Sequence, residues 1–187
     1  MDVWALHGSA QDERFMAPFA ARMAPNARVI APRGRFRLGE GFTFFQRRTD
    51  RSLDAATILA EARTFLDARD PAPTPPLVVG YSSGAIFAQA LLAASPGGFA
   101  GAALLRPEPL AEDFAYPHLN GLPVLSLSGR RDPRRRPTDG RLSARQLRDA
   151  GAAVEHHDLD AGHGWAPDDA EARLARRWMQ TSGLSDR

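Results

Sequence analysis

The chain of 187 residues contains neither cysteine nor lysine. Without cysteine there can be no disulfide scaffold, no thiolate metal site and no cysteine nucleophile. Without lysine, all 24 basic residues are arginine. No lysine or cysteine then titrates between histidine and arginine, so a net charge of only +2 carries the isoelectric point to 9.9. This is not the concentrated basic face that nucleic-acid binding requires, and no nucleic-acid partner is expected. Long apolar runs are also missing. None reaches the roughly 18 residues of a membrane-spanning helix. The start, Met1–Gly8, has no basic segment followed by a long apolar one, so no signal peptide and a cytoplasmic location are expected. The length favours a single domain over 1–187.

The remaining sequence alternates. Short apolar runs at Val3–Leu6, Arg28–Ala31, Leu77–Val79, Ala102–Leu105, Val124–Ser128 and Ala153–Leu159 read as strands, most of them continuous enough to be buried on both sheet faces. Between them lie helical stripes: Phe15, Phe19 and Met23; Ile58, Ala62, Phe65 and Leu66; Leu142, Leu147 and Ala150; Ala170, Leu174 and Trp178. Ala85–Ala94 is apolar all round, as a helix buried on a sheet would be. The run 70–76, rich in proline, reads as a semi-rigid connector. The expectation is an α/β protein with a compact, mostly parallel sheet of about six strands, helices on both faces and no cap domain. In such sheets function gathers at the C-terminal strand ends.

Those ends carry unusual chemistry. Gly80-Tyr81-Ser82-Ser83-Gly84 is a G-x-S-x-G between a strand and an apolar helix, the setting that lifts a serine hydroxyl clear of a sheet. Ser82, the middle residue, is the candidate nucleophile, and a structural turn is the bland alternative. A serine needs a base, and the base an orienting group. Ala161-Gly162-His163-Gly164-Trp165 follows the last strand and supplies His163. His156 and His157 lie within a strand pattern, and His118 reads as a loop residue. Asp132, after the fifth strand, is the candidate orienting acid. Its rivals are Asp158 and Asp160, the latter too close to His163 in the chain for an easy side-chain approach. The order Ser82, Asp132, His163 is that of α/β-hydrolases. The backbone N–H groups of Ser83 and Ser9 are the candidate oxyanion donors. His7 reads as a residue shaping the Ser9 loop.

LHGSAQDE, APRG, GFTFFQRR, GYSSGA, ALLRPEPL, LSGRRDP and AGHGW follow one another along essentially the whole chain. In this succession the sequence resembles the phospholipase/carboxylesterase family of serine hydrolases with the α/β-hydrolase fold, and within it the small MhqO/MhqD-like carboxylesterases. The resemblance implies hydrolysis of small-molecule carboxylic esters, with thioesters or lysophospholipids as substrates of relatives. It implies no metal and no organic cofactor, and homodimers are common in the group. The sequence departs from the pattern in three places. It begins at the first core strand, Ser83 stands where asparagine is frequent, and arginines occupy 134–136 where an apolar pair is usual.

Phe44 and Phe45, after the second strand, are candidates for a substrate wall, with core packing as the alternative. Arg33 and Arg47 are candidates for gripping a substrate anion, or for tying down the long loop. Trp165 joins the candidate pocket through its place beside His163. Arg130, Arg131 and Arg134–Arg136 read as a solvated face, with attraction of anionic substrates as the sharper alternative. Two functions from different classes follow: a serine esterase, with thioesterase or acyltransferase chemistry as variants, and a non-catalytic binding protein on the same fold.

Overall fold

The computed structural model describes residues 1–70 and 72–185. Pro71 of the expected connector lies outside them. Six strands form one wholly parallel sheet: β1 (Asp2–Leu6), β2 (Arg28–Ile30), β5 (Leu77–Tyr81), β6 (Gly101–Leu105), β7 (Pro123–Gly129) and β8 (Ala153–Leu159). Their spatial order is β2-β1-β5-β6-β7-β8. The two central strands β5 and β6 are buried at every position, which is why they read as unbroken apolar runs.

Helices cover both faces. On one side α2 (Ala55–Asp67), α3 (Ser83–Ala94) and α4 (Asp139–Asp149) share a core built on Leu6, Ile58, Val78, Ile86, Phe87, Leu104 and Leu147. On the other, α1 (Ala17–Met23) and α5 (Ala170–Thr181) pack Phe19, Met23, Ala175 and Trp178 against Val3, Val79, Leu105 and Leu127. Alternate residues of one strand thus serve two different cores, the period-two rule of a pleated sheet. Burial of each such large apolar side chain stabilises the fold by about 1.5–3 kcal/mol. Helix α2 begins at Asp54, whose side chain accepts the Thr57 amide.

One element escaped the sequence pattern. β3 (Phe36–Leu38) and β4 (Gly41–Thr43) form a small antiparallel hairpin in what reads as a long loop. Three-residue strands are too short for alternation to be visible. The hairpin turns at Gly39, whose φ of +57° suits glycine. β4 is tied to the loop after β1 by Ala10 N–H to the Phe42 carbonyl (3.0 Å) and Phe42 N–H to the Gln11 carbonyl (2.8 Å). Among the described residues, no helix is long and apolar enough to cross a membrane.

Candidate active site

The strand β5 ends at Tyr81 and α3 begins at Ser83, leaving Ser82 alone in the turn. Its backbone sits at φ +54° and ψ −115°, an uncommon conformation for any residue with a side chain. Such strain, of about 1–3 kcal/mol, persists only where the surroundings enforce it. Here they do. The Ser82 amide donates to the Leu105 carbonyl of β6 (2.8 Å). A Cβ at Gly80 would collide with the Gly84 carbonyl, and one at Gly84 with the Leu6 carbonyl of β1. The two glycines therefore let helix and strand approach until the turn has one available shape.

Two further strand ends lead to this hydroxyl, one directly and one through the other. His163, after β8, accepts the Ser82 Oγ–H at Nε2 over 2.9 Å. Its Nδ1–H donates to Asp132 Oδ2 over 2.7 Å. Asp132, after β7, has a buried side chain and also accepts the Arg134 amide (2.8 Å). Burial pulls the His163 imidazole below its ordinary value, the Asp132 carboxylate pulls it back up, and Arg135 and Arg134 push it down again. The rivals to Asp132 are engaged elsewhere: Asp158 with Arg141 and His156, and Asp160 with Arg131.

The loop after β1 is shaped by His7. Its Nδ1–H donates to the Gly8 carbonyl (2.8 Å), and its Nε2 accepts the Gly34 amide (2.9 Å). Those two bonds fix a neutral imidazole with the proton on Nδ1. The Gly8 amide is capped by Gln11 Oε1 (2.8 Å). Among the described residues, the amides of Ser9 and Ser83 have no acceptor.

Four residues expected at the pocket lie elsewhere or are already engaged. Phe44 and Phe45 are core residues, 3% and 2% exposed. Phe44 stacks on Phe87 and lies against His7, with centroids 5.0 and 4.7 Å apart. Its apolar neighbours in α2 and α3 bury more of it than an open cleft could. The side groove that it does line includes Arg33, Arg35 and Thr64 and does not include Ser82 or His163. Arg33 pairs with Glu13, and Arg47 with Glu108 and the Arg51 carbonyl, so both serve to fix loops. Trp165 does stand beside His163. It is 41% exposed and packs against Tyr81, Phe15 and Phe19.

Two residues that the sequence pattern passed over, and one that it named only within an arginine run, are prominent. Tyr81 donates its hydroxyl to the His163 carbonyl (2.7 Å). Arg106, after β6, donates to the carbonyls of Gly162 (3.0 Å) and Gly164 (2.6 Å) on either side of His163, and pairs with Glu171 of α5 (2.5 Å). Both partners are essentially fully buried. Arg135 belongs to the arginine run read as a solvated face. Its side chain is instead only 10% exposed and donates from Nη2 to Ser82 Oγ (3.2 Å). Tyr81 and Arg106 sit inside GYSSGA and ALLRPEPL, which was the one available signal.

The chain matches no protein-family model. It is 28% identical over 182 residues to the Bacillus subtilis (strain 168) protein named as the hydrolase MhqD, covering 94% of this chain and 90% of that one. A crystal structure of a carboxylesterase from Mesorhizobium loti superposes with a TM-score of 0.80 at 30% identity, over 96% of this chain and 88% of that one. The Bacillus cereus carboxylesterase has the same fold, with a TM-score of 0.86 at 24% identity over 97% and 88% of the two chains. A parallel six-stranded sheet with helices on both faces, and relatives of this kind along nearly the full length, place the chain in the carboxylesterase-like family of α/β-hydrolases, as a hydrolase of esterase type.

Proposed function

We propose that the protein cleaves carboxylic esters of small molecules through a Ser82–His163–Asp132 triad and an acyl-enzyme intermediate. The unbroken relay of 2.9 and 2.7 Å from Ser82 through His163 to Asp132 carries this reading. His163 Nε2 takes the Ser82 proton as Oγ attacks the ester carbonyl. Asp132 holds the proton on Nδ1, so that Nε2 is the free base, and stabilises the imidazolium that forms. The amides of Ser9 and Ser83 receive the oxyanion of the tetrahedral intermediate. Collapse of that intermediate expels the alcohol, which takes the proton from Nε2. Water, activated by the same nitrogen, then attacks the acyl-enzyme and frees the acid and Ser82.

The test is covalent labelling with a fluorophosphonate, read by intact mass and peptide mapping, on the wild type and on His163→Ala. One adduct on Ser82, lost in His163→Ala, is the expected result. No adduct on folded wild-type protein would refute it and favour a non-catalytic binding role. Ester and thioester series on labelled-competent enzyme then separate the two acyl chemistries.

A further inference from the structure

Arg135 is unlike the arginines around it. Arg131 and Arg136 lie in solvent, paired with Asp160 and Glu112. Arg135 turns inward and is anchored on three sides. Its Nε–H donates to the Arg106 carbonyl (2.9 Å), and its Nη1 donates to the Arg134 carbonyl (3.0 Å) and faces Glu108 Oε2 (3.3 Å). Its Nη2 donates to Ser82 Oγ (3.2 Å). A guanidinium has five N–H donors. Three are hydrogen-bonded, Nη1 also lies in an ion pair with Glu108, and a second N–H on Nη2 is left beside the nucleophile.

The carboxylate that Arg135 pairs with meets its Nη1, on the far side of the fork from Ser82's partner Nη2. Glu108 is shared between Arg135 and Arg47, which it meets at 2.5 Å. One carboxylate thus faces two guanidinium groups. The carboxylates of Asp132, which holds His163, and of Asp139 also face Arg135. The Arg135 cation, largely removed from water, thus sits next to the hydroxyl that attacks the substrate. In such surroundings an added anion is attracted much more strongly than at the surface.

Topology says which part of a substrate meets it. Ser9 follows β1, whereas the anchors of Arg135 follow β6 and β7, and β1 and β6 flank β5 on opposite sides. The oxyanion loop and Arg135 therefore approach Ser82 from different sides. Arg135 is placed for a substrate group other than the carbonyl oxygen. The planar fork and fixed anchoring suit a carboxylate.

We propose that Arg135 is a specificity residue that selects esters carrying a carboxylate close to the scissile carbonyl. This rests on the reading of Ser82 as nucleophile. Two substrate pairs test it and distinguish the side on which the carboxylate lies. The 4-nitrophenyl monoester of succinic acid against 4-nitrophenyl butanoate places the charge on the acyl side. O-acetylglycolate against propyl acetate places it on the alcohol side. Ser82→Ala provides the subtraction for spontaneous hydrolysis.

In at least one pair, wild-type kcat/KM favours the anionic ester by roughly 10-fold or more, the scale of a charge-assisted hydrogen bond. Arg135→Gln collapses that ratio, and Arg135→Lys, which keeps a point charge without the fork, retains part of it. Equal rates for charged and neutral esters in both pairs would overturn the proposal, as would an unchanged ratio in Arg135→Gln. Should Arg135→Gln fail to fold, the wild-type ratios and Arg135→Lys decide the matter. Fluorophosphonate labelling of the same wild-type sample separates two failures. With Ser82 labelled and no charge preference, this inference alone falls. With folded protein unlabelled, the nucleophile reading falls and takes the inference with it.

Discussion

Glu171→Gln removes one charge of the Arg106–Glu171 pair while keeping side-chain shape and an acceptor for the Ala166 amide, which Glu171 Oε1 receives at 2.9 Å. The side chains are 1% and 2% exposed, so water cannot compensate the guanidinium left behind. Breaking such a pair from one side costs about 3–5 kcal/mol. For a chain of this size each kcal/mol lowers Tm by about 2–4 °C, giving a fall of about 6–20 °C. Arg106→Met leaves Glu171 unpaired and, in addition, withdraws the donors from the Gly162 and Gly164 carbonyls that flank His163. Displacing the imidazole by about 1 Å is enough to lower kcat/KM by about 10²-fold. The double variant Arg106→Met/Glu171→Gln has no stranded charge and is therefore less destabilised than the sum of its parts, by about 1–3 kcal/mol. Its activity stays at the Arg106→Met level, because the loop clamp is still gone. Chemical and thermal unfolding followed by circular dichroism, with ester kinetics on the same samples, reads all of this. Strict additivity, or a Glu171→Gln protein within about 1 kcal/mol of wild type, would show that the pair does not work as described.

The pH profile gives a second check. The proposed base His163 acts only when neutral, and its value lies below the ordinary 6.5, so on the proposed mechanism kcat/KM is retained above that lowered value and lost as pH falls through it. The acid limb of wild type therefore has its midpoint below 6.5. Arg135→Gln removes a neighbouring positive charge and moves that midpoint upward, while Asp132→Asn removes the group that raises it, moves it downward and lowers kcat on the order of 10⁴-fold. A limb that ignored both changes would count against this site. Ser82→Gly relieves the φ of +54° and raises Tm by about 2–4 °C for each kcal/mol released, while fluorophosphonate labelling disappears; a lower Tm would argue against backbone strain at the turn. Gly84→Ala drives a Cβ into the Leu6 carbonyl, where backbone cannot yield. It destabilises by about 1–3 kcal/mol in urea unfolding, and a near-neutral effect would refute the close packing of α3 on β1.

Much of this molecule was legible along the chain because the relevant signals are local. Continuous apolar runs mark strands buried on both faces, and all six sheet strands lie where those runs do. G-x-S-x-G at a strand–helix junction, a glycine-flanked histidine after the last strand and an aspartate before proline mark the candidate triad in its expected order. Backbone stereochemistry and short-range packing produce each of these patterns, and a few neighbouring residues suffice to display them.

What lay beyond the sequence depends on separation. The β3–β4 hairpin has strands too short to alternate visibly, and it is fixed by its bonds to the loop after β1. Phe44 and Phe45 stand beside the expected pocket in the chain, yet α2 and α3 enclose them. Arg135 belongs by composition to a solvated run, and only the fold turns it toward a serine 53 positions away. Arg106 meets Glu171 across 65 positions. Sequence by itself determined the sheet, its polarity and the side chains at its C-terminal ends. Tertiary structure decided which arginines are charges in water and which is a desolvated charge at the Ser82 hydroxyl, because burial and ion pairing belong to the assembled surroundings of a residue and not to its neighbours along the chain.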